Sequence, residues 1–125
     1  YQRSRIEGVD IEDILARLKQ VMEEERIYCV EDLSLNMLSI ELAIAPYQLS
    51  QILNERLNKN FNQFINERRI AEACRLLVDE PEKKVSDIAL SVGFNSVSAF
   101  YSWFLRINGI SPAKYRDKHS EMKHS

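Results

Sequence analysis

The sequence of 125 residues predicts an all-α fold of about seven helices. Apolar residues recur three and four positions apart through most of the chain, which is the period of an amphipathic helix. Glycines, prolines and capping residues divide these stretches into short segments. A pattern of two helices around a tight turn also occurs twice, about fifty residues apart. The chain is therefore expected to be a small helical protein built on an internal repeat.

Residues 85–116 contain the clearer copy of the repeated pattern. Gly93 supplies the permissive backbone that ends a first helix. Asn95 and Ser96 offer side-chain oxygens to the N–H groups of a second helix, which ends at Gly109. The apolar residues expected to face the core are Ile88, Ala89, Val92, Phe100, Phe104, Ile107 and, on a short third helix opened by Ser111 and Pro112, Tyr115. This order predicts a helix-turn-helix, whose second helix can lie in the DNA major groove.

The earlier copy has a turn one residue shorter. Ser34 is expected to cap its first helix, and Pro46 to begin its second helix, although Ala45 has no capping side chain. Asn58 stands where the later copy has glycine, because asparagine tolerates the left-handed conformation better than most residues. The matched positions are Leu38 and Ile88, Ser39 and Ala89, Leu49 and Phe100, Leu53 and Phe104, Asn58 and Gly109, Asn60 and Ser111, and Phe64 and Tyr115.

Residues 61–78 connect the two copies and contain neither glycine nor proline. They predict one helix of roughly 27 Å, comparable with the roughly 34 Å between successive major-groove faces of B-DNA. Such a rod would set the spacing of the two units. Its expected apolar face consists of Phe61, Phe64, Ile65, Ala71, Cys74, Leu77 and Val78. The expected local ion pairs join Arg68, Arg69 and Arg75 to Glu67 and Glu72.

One further amphipathic helix is predicted near the N-terminus, with Asp10 as its cap. The apolar stripe expected to pack on the first helix-turn-helix is Ile11, Ile14, Leu15, Leu18, Val21 and Met22. The expected segments are residues 1–33 for the N-terminal linker and helix, 34–60 for the first helix-turn-helix, 61–82 for the connecting helix, 83–118 for the second helix-turn-helix and 119–125 for a polar tail.

The composition excludes several classes of function. No apolar run approaches the roughly 20 residues of a membrane-spanning helix, and no signal peptide opens the chain, so a cytoplasmic location is expected. Cys29 and Cys74 stand alone in the sequence, and His119 and His124 both lie near the C-terminus. No metal site, catalytic centre or cofactor is expected from these residues. The chain is not expected to be an enzyme, because the sequence shows no acid/base pair, nucleophile or glycine-rich phosphate loop.

Residues 34–118 resemble the DNA-binding domain of the AraC/XylS family of bacterial transcription regulators. The residues that carry the resemblance are Ile88, Ala89, Gly93, Phe94, Ser98, Phe100, Phe104, Gly109, Ser111, Pro112, Tyr115 and Arg116, together with Arg69, Ile70 and Ala73 on the connecting helix. The resemblance implies two homeodomain-like helix-turn-helix subdomains joined by one long helix, with double-stranded DNA as the partner. RNA polymerase is a further candidate partner.

Tyr1 is not an initiator methionine, and no sensor sequence is recognisable. The chain is therefore expected to be a fragment of a longer regulator, with a sensor or dimerisation region before Tyr1 and with a monomeric isolated piece. The first thirty-odd residues, through Tyr1, Ser4, Arg5 and the stretch around Ser34, also resemble a subgroup whose DNA-binding domain follows a membrane or other sensor region.

The residues expected to read bases lie on the outer arcs of the two recognition helices. In the first unit they are Tyr47, Gln48, Ser50, Gln51 and Asn54. Glutamine and asparagine match the donor and acceptor of the adenine edge, and a tyrosine can contact a phosphate or a thymine methyl group. By the resemblance, the family's base-contacting places fall on Tyr47, Ser50 and Gln51. A solvated polar face is the alternative for each residue.

The second recognition helix carries little charge on its outer arc. Its candidate base-reading residues are Asn95, Ser96, Ser98 and Ser102, and its other outer residues are Val97, Ala99, Tyr101 and Leu105. Ser102 and Leu105 stand where the family often has arginine and lysine. The first unit is therefore expected to carry more of the sequence discrimination.

The candidate phosphate contacts are basic side chains and helix N-termini near the two units. They are Lys59, Asn60, Lys84, Ser86, Arg106, Lys114 and Arg116, of which Arg116 has an acidic neighbour as its alternative partner. The formal charge of −2 is unusual for a DNA-binding domain, but residues 83–125 hold seven Lys/Arg against three Asp/Glu. A helical protein-interaction module with reduced DNA binding is the alternative function that the overall acidity favours.

Overall fold

The structure, a computed structural model, describes residues 8–124, with side chains described for residues 8–120. Tyr1, Ser4 and Arg5, which carry part of the second resemblance, lie outside the described residues, as does Ser125. In the described part of the chain there are α-helices and no strand, which confirms the all-α prediction. The seven α-helices are α1 Ile11–Glu23, α2 Leu35–Glu41, α3 Pro46–Ile52, α4 Phe61–Asp79, α5 Val85–Ser91, α6 Val97–Asn108 and α7 Pro112–His124.

Two short elements supplement these helices. A 3-10 turn, Ile27–Cys29, follows α1, and a π-helical turn, Leu53–Leu57, continues α3. The helix α7 has 13 residues, so it is not the short third helix that the sequence predicts, and it includes most of the expected polar tail.

The chain divides into two compact units. Unit 1 contains the described residues up to Ile27 together with Leu33–Phe64, and unit 2 contains Tyr28–Asp32 and the described residues from Ile65 onward. The expected division differs from this one in two places. Residues 28–32 belong to unit 2 although they precede the first helix-turn-helix, and the boundary near Phe64 falls inside α4.

The helix α1 belongs to unit 1 and places its apolar stripe inward. Asp10 accepts a hydrogen bond from the N–H of Asp13 at 3.2 Å, as expected for the cap of this helix. An ion pair joins Glu12 to Arg56 of the π-helical turn, with 2.6 Å between Oε2 and Nη2. The buried apolar residues of unit 1 are Ile11, Ile14, Leu18, Val21, Met22, Leu38, Leu42, Leu49, Ile52 and Leu53.

The core of unit 2 is a single apolar cluster. Phe100 lies at its centre, with the ring of Phe94 at 5.5 Å edge-on and the ring of Phe104 at 5.5 Å. Tyr115 of α7 packs edge-on against Phe104 at 5.6 Å. Ile107, expected to face this core, is instead 41% exposed, so that prediction is wrong. The buried members of the cluster are Ile70, Ala73, Leu76, Leu77, Ile88, Ala89, Val92, Phe94, Phe100 and Phe104.

Helix α4 is uninterrupted from Phe61 to Asp79, one residue longer than the sequence predicts. Arg75 forms the expected pair with Glu72 at 2.7 Å and adds Asp79 at 3.3 Å. Ala71 is exposed, so the apolar face of this helix is rotated from the expected one toward Arg69, Ile70 and Ala73.

Arg69 makes a different set of contacts from the local ion pair that its spacing predicts. Its Nε donates to the carbonyl oxygen of Tyr28 at 2.7 Å and its Nη2 donates to that of Val30 at 3.0 Å. Nη1 donates to the side-chain oxygen of Asn66 at 3.0 Å. Burial lowers the pKa of this guanidinium from its usual range. The side chain therefore fixes residues 28–32 within unit 2 through backbone carbonyls.

The two cysteines are half-buried. Neither Cys29 nor Cys74 forms a disulfide. Asn108 donates to the Sγ atom of Cys74 at 3.6 Å, and burial raises the pKa of the Cys74 thiol. The thiol form is therefore favoured at neutral pH, which is typical of a packing residue.

Candidate nucleic-acid interface

Both units contain a complete helix-turn-helix. In unit 1 it consists of α2 and α3, and in unit 2 of α5 and α6. The N–H of Ile44 donates to the carbonyl of Ser39 at 3.0 Å, and the N–H of Phe94 donates to that of Ala89 at 3.2 Å. These bonds occupy the same place in the two turns, fifty residues apart. The internal repeat predicted from the sequence is therefore present in the backbone.

The turn in each unit passes through one residue with a positive φ. Gly93 has a φ of 113° and Ala43 has a φ of 57° at the matching position. The later copy uses the glycine that helix ends favour, whereas the earlier copy places an alanine in the left-handed region. The left-handed Ala43 is not predicted from the sequence, because alanine gives no signal for this conformation.

The recognition helices have the same length. Helix α6 has 12 residues, and α3 with its π-helical turn extends over positions 46–57, which are also 12. The left-handed residues Asn58, with a φ of 56°, and Gly109, with a φ of 77°, end the two helices. Asn58 therefore replaces glycine as predicted. A π-helical turn inside an α-helix is uncommon and often lies at a functional site.

The helices begin differently. The Oγ atom of Ser96 accepts from the N–H of Ala99 at 3.1 Å and caps α6, as the sequence predicts. Ala45 has no capping side chain, and Oε1 of Gln48 instead accepts from the N–H of Ala45 at 2.8 Å. Gln48, a candidate base-reading residue, thus uses its oxygen to close the N-terminus of α3.

The remaining candidates of unit 1 lie on the outer arc of α3. Tyr47 is 69% exposed, Asn54 is exposed, and Ser50 is half-buried. The Nε2 atom of Gln51 donates to Oε2 of Glu55 at 2.9 Å. This bond holds the Gln51 amide and leaves its oxygen and one N–H for a base edge. Glu55 was missed from the sequence, although its i,i+4 spacing from Gln51 could have indicated it.

In unit 2 the candidates lie at and after the start of α6. Asn95, Ser98 and Ser102 are exposed, and Ser96 is half-buried at the cap. Tyr101 and Leu105 lie on the same outer arc, and they are 39% and 51% exposed. The exposed arc of α6 is therefore part hydroxyl and part apolar.

The candidate phosphate contacts fall into two groups. Three side chains already have partners within their unit. Asn60 accepts from the N–H of Gln63 at 2.8 Å as the cap of α4. The guanidinium of Arg106 lies 4.6 Å from the centroid of the Trp103 ring. Arg116 donates to the carbonyls of Leu77 at 2.9 Å and Glu80 at 3.2 Å, so two carbonyls replace the acidic neighbour considered as its alternative partner.

The other phosphate candidates lie at or beside helix ends. Lys84 is the exposed N-cap residue of α5, and Ser86 is exposed in its first turn. Lys114 is exposed at the start of α7, where its N–H donates to Ser111 Oγ at 3.2 Å. Lys59 follows the end of the π-helical turn and is half-buried. Helix N-termini with nearby cations are suited to phosphate groups.

Two further features of the described residues concern metal binding and membrane insertion. Among residues 8–120, no three His, Cys, Asp or Glu side chains come together as the ligands of a metal ion would. Across the described helices, none is long and apolar enough to cross a membrane.

Comparisons with known proteins agree with this architecture. Residues 38–118 match the profile of the family described as "Helix-turn-helix domain". An "Uncharacterized HTH-type transcriptional regulator" of Staphylococcus aureus is 33% identical over 100 residues, which are 80% of this chain and 13% of that protein. The chain thus spans about 13% of the length of this curated relative.

Two solved structures share the fold. The C-terminal domain of AraT, a response regulator from Geobacillus stearothermophilus, aligns over 88% of both chains with a TM-score of 0.77 and 25% identity. A transcriptional regulator with an AraC-type DNA-binding domain from Chromobacterium violaceum aligns over 86% of this chain and 92% of its own, with a TM-score of 0.73 and 23% identity. Because the family profile covers more than half of the sequence, the chain belongs to the AraC-type family of helix-turn-helix DNA-binding domains.

Proposed function

We propose that this chain is the sequence-specific output domain of a transcription regulator, with α3 and α6 entering adjacent major-groove segments of duplex DNA. The observation that carries the proposal is the repeat itself. Each unit presents a recognition helix of 12 residues, and matched outer positions of both helices, such as Tyr47 and Ser98, are exposed. Two such helices in one chain are suited to two consecutive stretches of a binding site.

Unit 1 is proposed to supply most of the hydrogen-bonding readout. Gln51 and Asn54 can each pair with the N6 and N7 atoms of adenine. Glu55 accepts from the Gln51 amide at 2.9 Å, which restricts the rotamers of Gln51 before DNA binds. The contact with a base would then cost less side-chain entropy. Tyr47, at the N-terminal end of the same arc, is suited to a phosphate or a thymine methyl group.

Phosphate contacts are proposed to supply most of the affinity. Lys84 lies at the N-cap of α5, Arg106 on α6 and Lys114 in the first turn of α7, and residues 83–125 carry a net positive charge. Acidic residues such as Glu12 and Glu31 lie in the N-terminal part of the chain. Much of the unfavourable charge is therefore separated along the sequence from the second helix-turn-helix, whose surroundings are basic.

A salt titration with random duplex DNA tests the proposal. Each neutralised phosphate contributes about −0.9 to the slope of log K against log salt, so a slope between about −3 and −6 is expected. Lys84→Ala should make the slope less negative by about one unit. A chain shown to be folded by circular dichroism that binds no duplex at low salt would contradict DNA binding.

A helical protein-interaction module with reduced DNA binding is the second candidate function. Two observations favour it, namely the formal charge of −2 and the absence of charged residues from Val97 to Leu105. The same titration separates the two functions, because a module with reduced DNA binding should give weak salt-dependent binding to duplex DNA or none. Selection of bound sites from random duplex DNA then shows whether any binding is sequence-specific.

We further infer that the 125-residue chain is a monomer and that dimerisation, signal sensing and any contact with RNA polymerase use other parts of the intact protein or its partners. The apolar stripe of α1 supports a monomer, because Leu18 and Met22 are 3% and 1% exposed. Sedimentation at micromolar concentration tests the inference, and a stable dimer would contradict it. We propose a cytoplasmic location, because the proposed partner is DNA.

A further inference from the structure

We propose that α6 reads thymine methyl groups, with Tyr101 and Leu105 forming an apolar surface that packs against the C5 methyl of one or two pyrimidines. We call this pair the methyl-reading surface. The inference rests on the proposed DNA-binding function and adds the class of base feature that unit 2 recognises. It assigns specificity to Tyr101 and Leu105, which lack the side-chain amides that Gln51 and Asn54 present on α3.

The position of the pair is the first argument. Tyr101 and Leu105 are four residues apart and therefore neighbours on one helix face. Counted along the repeat, Tyr101 corresponds to Ser50 and Leu105 to Asn54. The pair thus occupies the outer arc that in unit 1 holds candidate base-reading residues. Single exposed leucines are common on protein surfaces. Leu105 differs from these because it occupies the position on the recognition helix that matches the base-reading candidate Asn54.

The rigidity of the pair is the second argument. The ring of Tyr101 packs edge-on against the buried ring of Phe100, with 5.8 Å between the ring centroids. Phe100 is fully buried, so it gives the tyrosine a fixed support. An aromatic ring held in this way presents apolar area at a low cost in conformational entropy. Leu105 lies one turn further along and extends the same apolar area.

The chemistry of the rest of the arc is the third argument. Ser98 and Ser102 flank the pair, and a serine hydroxyl can donate to one base or accept from another, so it discriminates weakly. The first charged residue of the helix is Arg106, whose guanidinium lies over Trp103. An apolar surface distinguishes bases in the major groove through the methyl group that thymine has and cytosine lacks.

DNA is the expected partner of the Tyr101 and Leu105 pair, because the pair is continuous with the proposed DNA interface. The capping residue Ser96 and the exposed Ser98 lie on the same helix, at its N-terminal end. The surrounding segment, residues 83–125, has seven basic residues against three acidic ones, which suits a polyanion. A protein partner for an apolar patch of two side chains would need further apolar area, whereas a methyl group does not.

A uridine scan tests the inference. Sites are first selected from random duplex DNA with the 125-residue chain, and each thymine of a selected site is then replaced by deoxyuridine, which removes one methyl group. At one or two positions the affinity should fall about fourfold, the factor that corresponds to about 0.8 kcal/mol for one buried methyl-sized group. A cytosine placed at the same positions should gain a similar factor when it is methylated at C5.

Two variants assign the effect to the pair. Leu105→Ser and Tyr101→Ser should each bind thymine and uridine duplexes with nearly equal affinity at the position that the replaced side chain contacts. Asn54→Ala is the matched control on the other recognition helix, and it should lower overall affinity while leaving the thymine-to-uridine ratio unchanged. Leu105 is half-exposed, so the serine variant should keep the fold, and circular dichroism checks this.

The outcomes separate this inference from the proposed function. A folded chain that binds no duplex overturns both. Specific binding with no methyl effect at any thymine, or with methyl effects that are unchanged at every thymine in both serine variants, overturns the methyl-reading surface and leaves the proposed function intact. A methyl effect that is lost only in the serine variants supports it.

Discussion

The two helix-turn-helix units have one backbone plan and two different surfaces. Leu49 and Phe100 are fully buried at matching positions, and Asn58 and Gly109 end the recognition helices in the same left-handed conformation. The outer arcs differ, since α3 presents amides and α6 presents hydroxyls with an apolar pair. The core positions and the helix C-termini are therefore constrained in both copies, whereas the exposed arc is unconstrained by folding and can specialise.

The turns differ as well, and the cause lies outside the repeat. Residues 28–32 lie against the turn of unit 2, where the carbonyl oxygen of Tyr28 and the side chain of Arg69 surround Gly93. In unit 1 the matching Ala43 is exposed. A side chain is therefore excluded from one turn by packing, whereas in the other turn only the backbone conformation is unfavourable.

Replacing Gly93 by alanine should produce the largest effect. The added Cβ would lie 2.7 Å from Nε of Arg69 and closer still to the Tyr28 carbonyl oxygen, at a φ that alanine rarely adopts. We expect the free energy of unfolding of unit 2 to fall by about 3 kcal/mol. Urea unfolding followed by the fluorescence of Trp103, the only tryptophan, measures it.

The matched change in unit 1, Ala43→Gly, is expected to raise the free energy of unfolding. Ala43→Gly removes an alanine from the left-handed region, so it should stabilise the folded state by up to about 1 kcal/mol, against the larger entropy of glycine in the unfolded chain. Destabilisation by Ala43→Gly would contradict the expected relief of backbone strain at this turn.

Replacing Arg69 by methionine should have the second-largest effect. The methionine keeps the apolar stem but leaves the carbonyls of Tyr28 and Val30 without their donors. We expect a loss of about 2 kcal/mol in the stability of unit 2, since each unsatisfied buried acceptor is costly. The exposed Arg75, whose partners are the local Glu72 and Asp79, is the control.

Arg75→Met should cost less than about 1 kcal/mol, as is typical of exposed ion pairs. Amide hydrogen exchange adds a second measurement, because protection of residues 28–32 should decrease in Arg69→Met and not in Arg75→Met. Unchanged protection in both variants would mean that Arg69 does not hold this segment.

Sequence rules predicted the features that depend on near neighbours. Ser34, Asn60 and Ser96 cap their helices through bonds to N–H groups three residues ahead, which spacing alone can indicate. Buried positions such as Leu49 and Phe100 follow from helical periodicity and from the repeat. These features need no knowledge of the tertiary structure.

The features that were missed depend on distant residues or on weak signals. Arg69 donates to backbone carbonyls about forty positions away in the sequence. Every residue has such a carbonyl, so residue type cannot indicate which one accepts the bond. Ile107 has a periodicity suited to the core but is 41% exposed. The Gln51 and Glu55 bond was within reach of spacing rules, whereas the left-handed Ala43 was not.

Replacing Gln51 by alanine tests whether α3 discriminates bases more strongly than α6. If Gln51 makes a bidentate contact with adenine, the variant should lose on the order of 1 to 3 kcal/mol of discrimination at one or two base pairs of the selected site. Ser102→Ala at the matching position of α6 should lose less, because one hydroxyl discriminates weakly. Equal loss on specific and random DNA would refute base reading by Gln51.

Exchanging the caps of the recognition helices should produce the smallest effects. Ser96→Ala removes the oxygen that accepts from the N–H of Ala99 at 3.1 Å, and should destabilise unit 2 by about 1 kcal/mol. Ala45→Ser provides α3 with the missing cap. Gln48 already accepts from the N–H of residue 45, so the serine would complete a reciprocal capping box.

The stability gained by Ala45→Ser should be about 0.5 kcal/mol, less than the loss in Ser96→Ala, because the Gln48 bond already satisfies part of this helix end. Urea unfolding monitored by far-ultraviolet circular dichroism measures both changes. The double variant Ala45→Ser with Gln48→Ala separates the two halves of the box. If its stability equals that of Ala45→Ser alone, the Gln48 oxygen contributes nothing to the cap, and the whole side chain is available for a base edge.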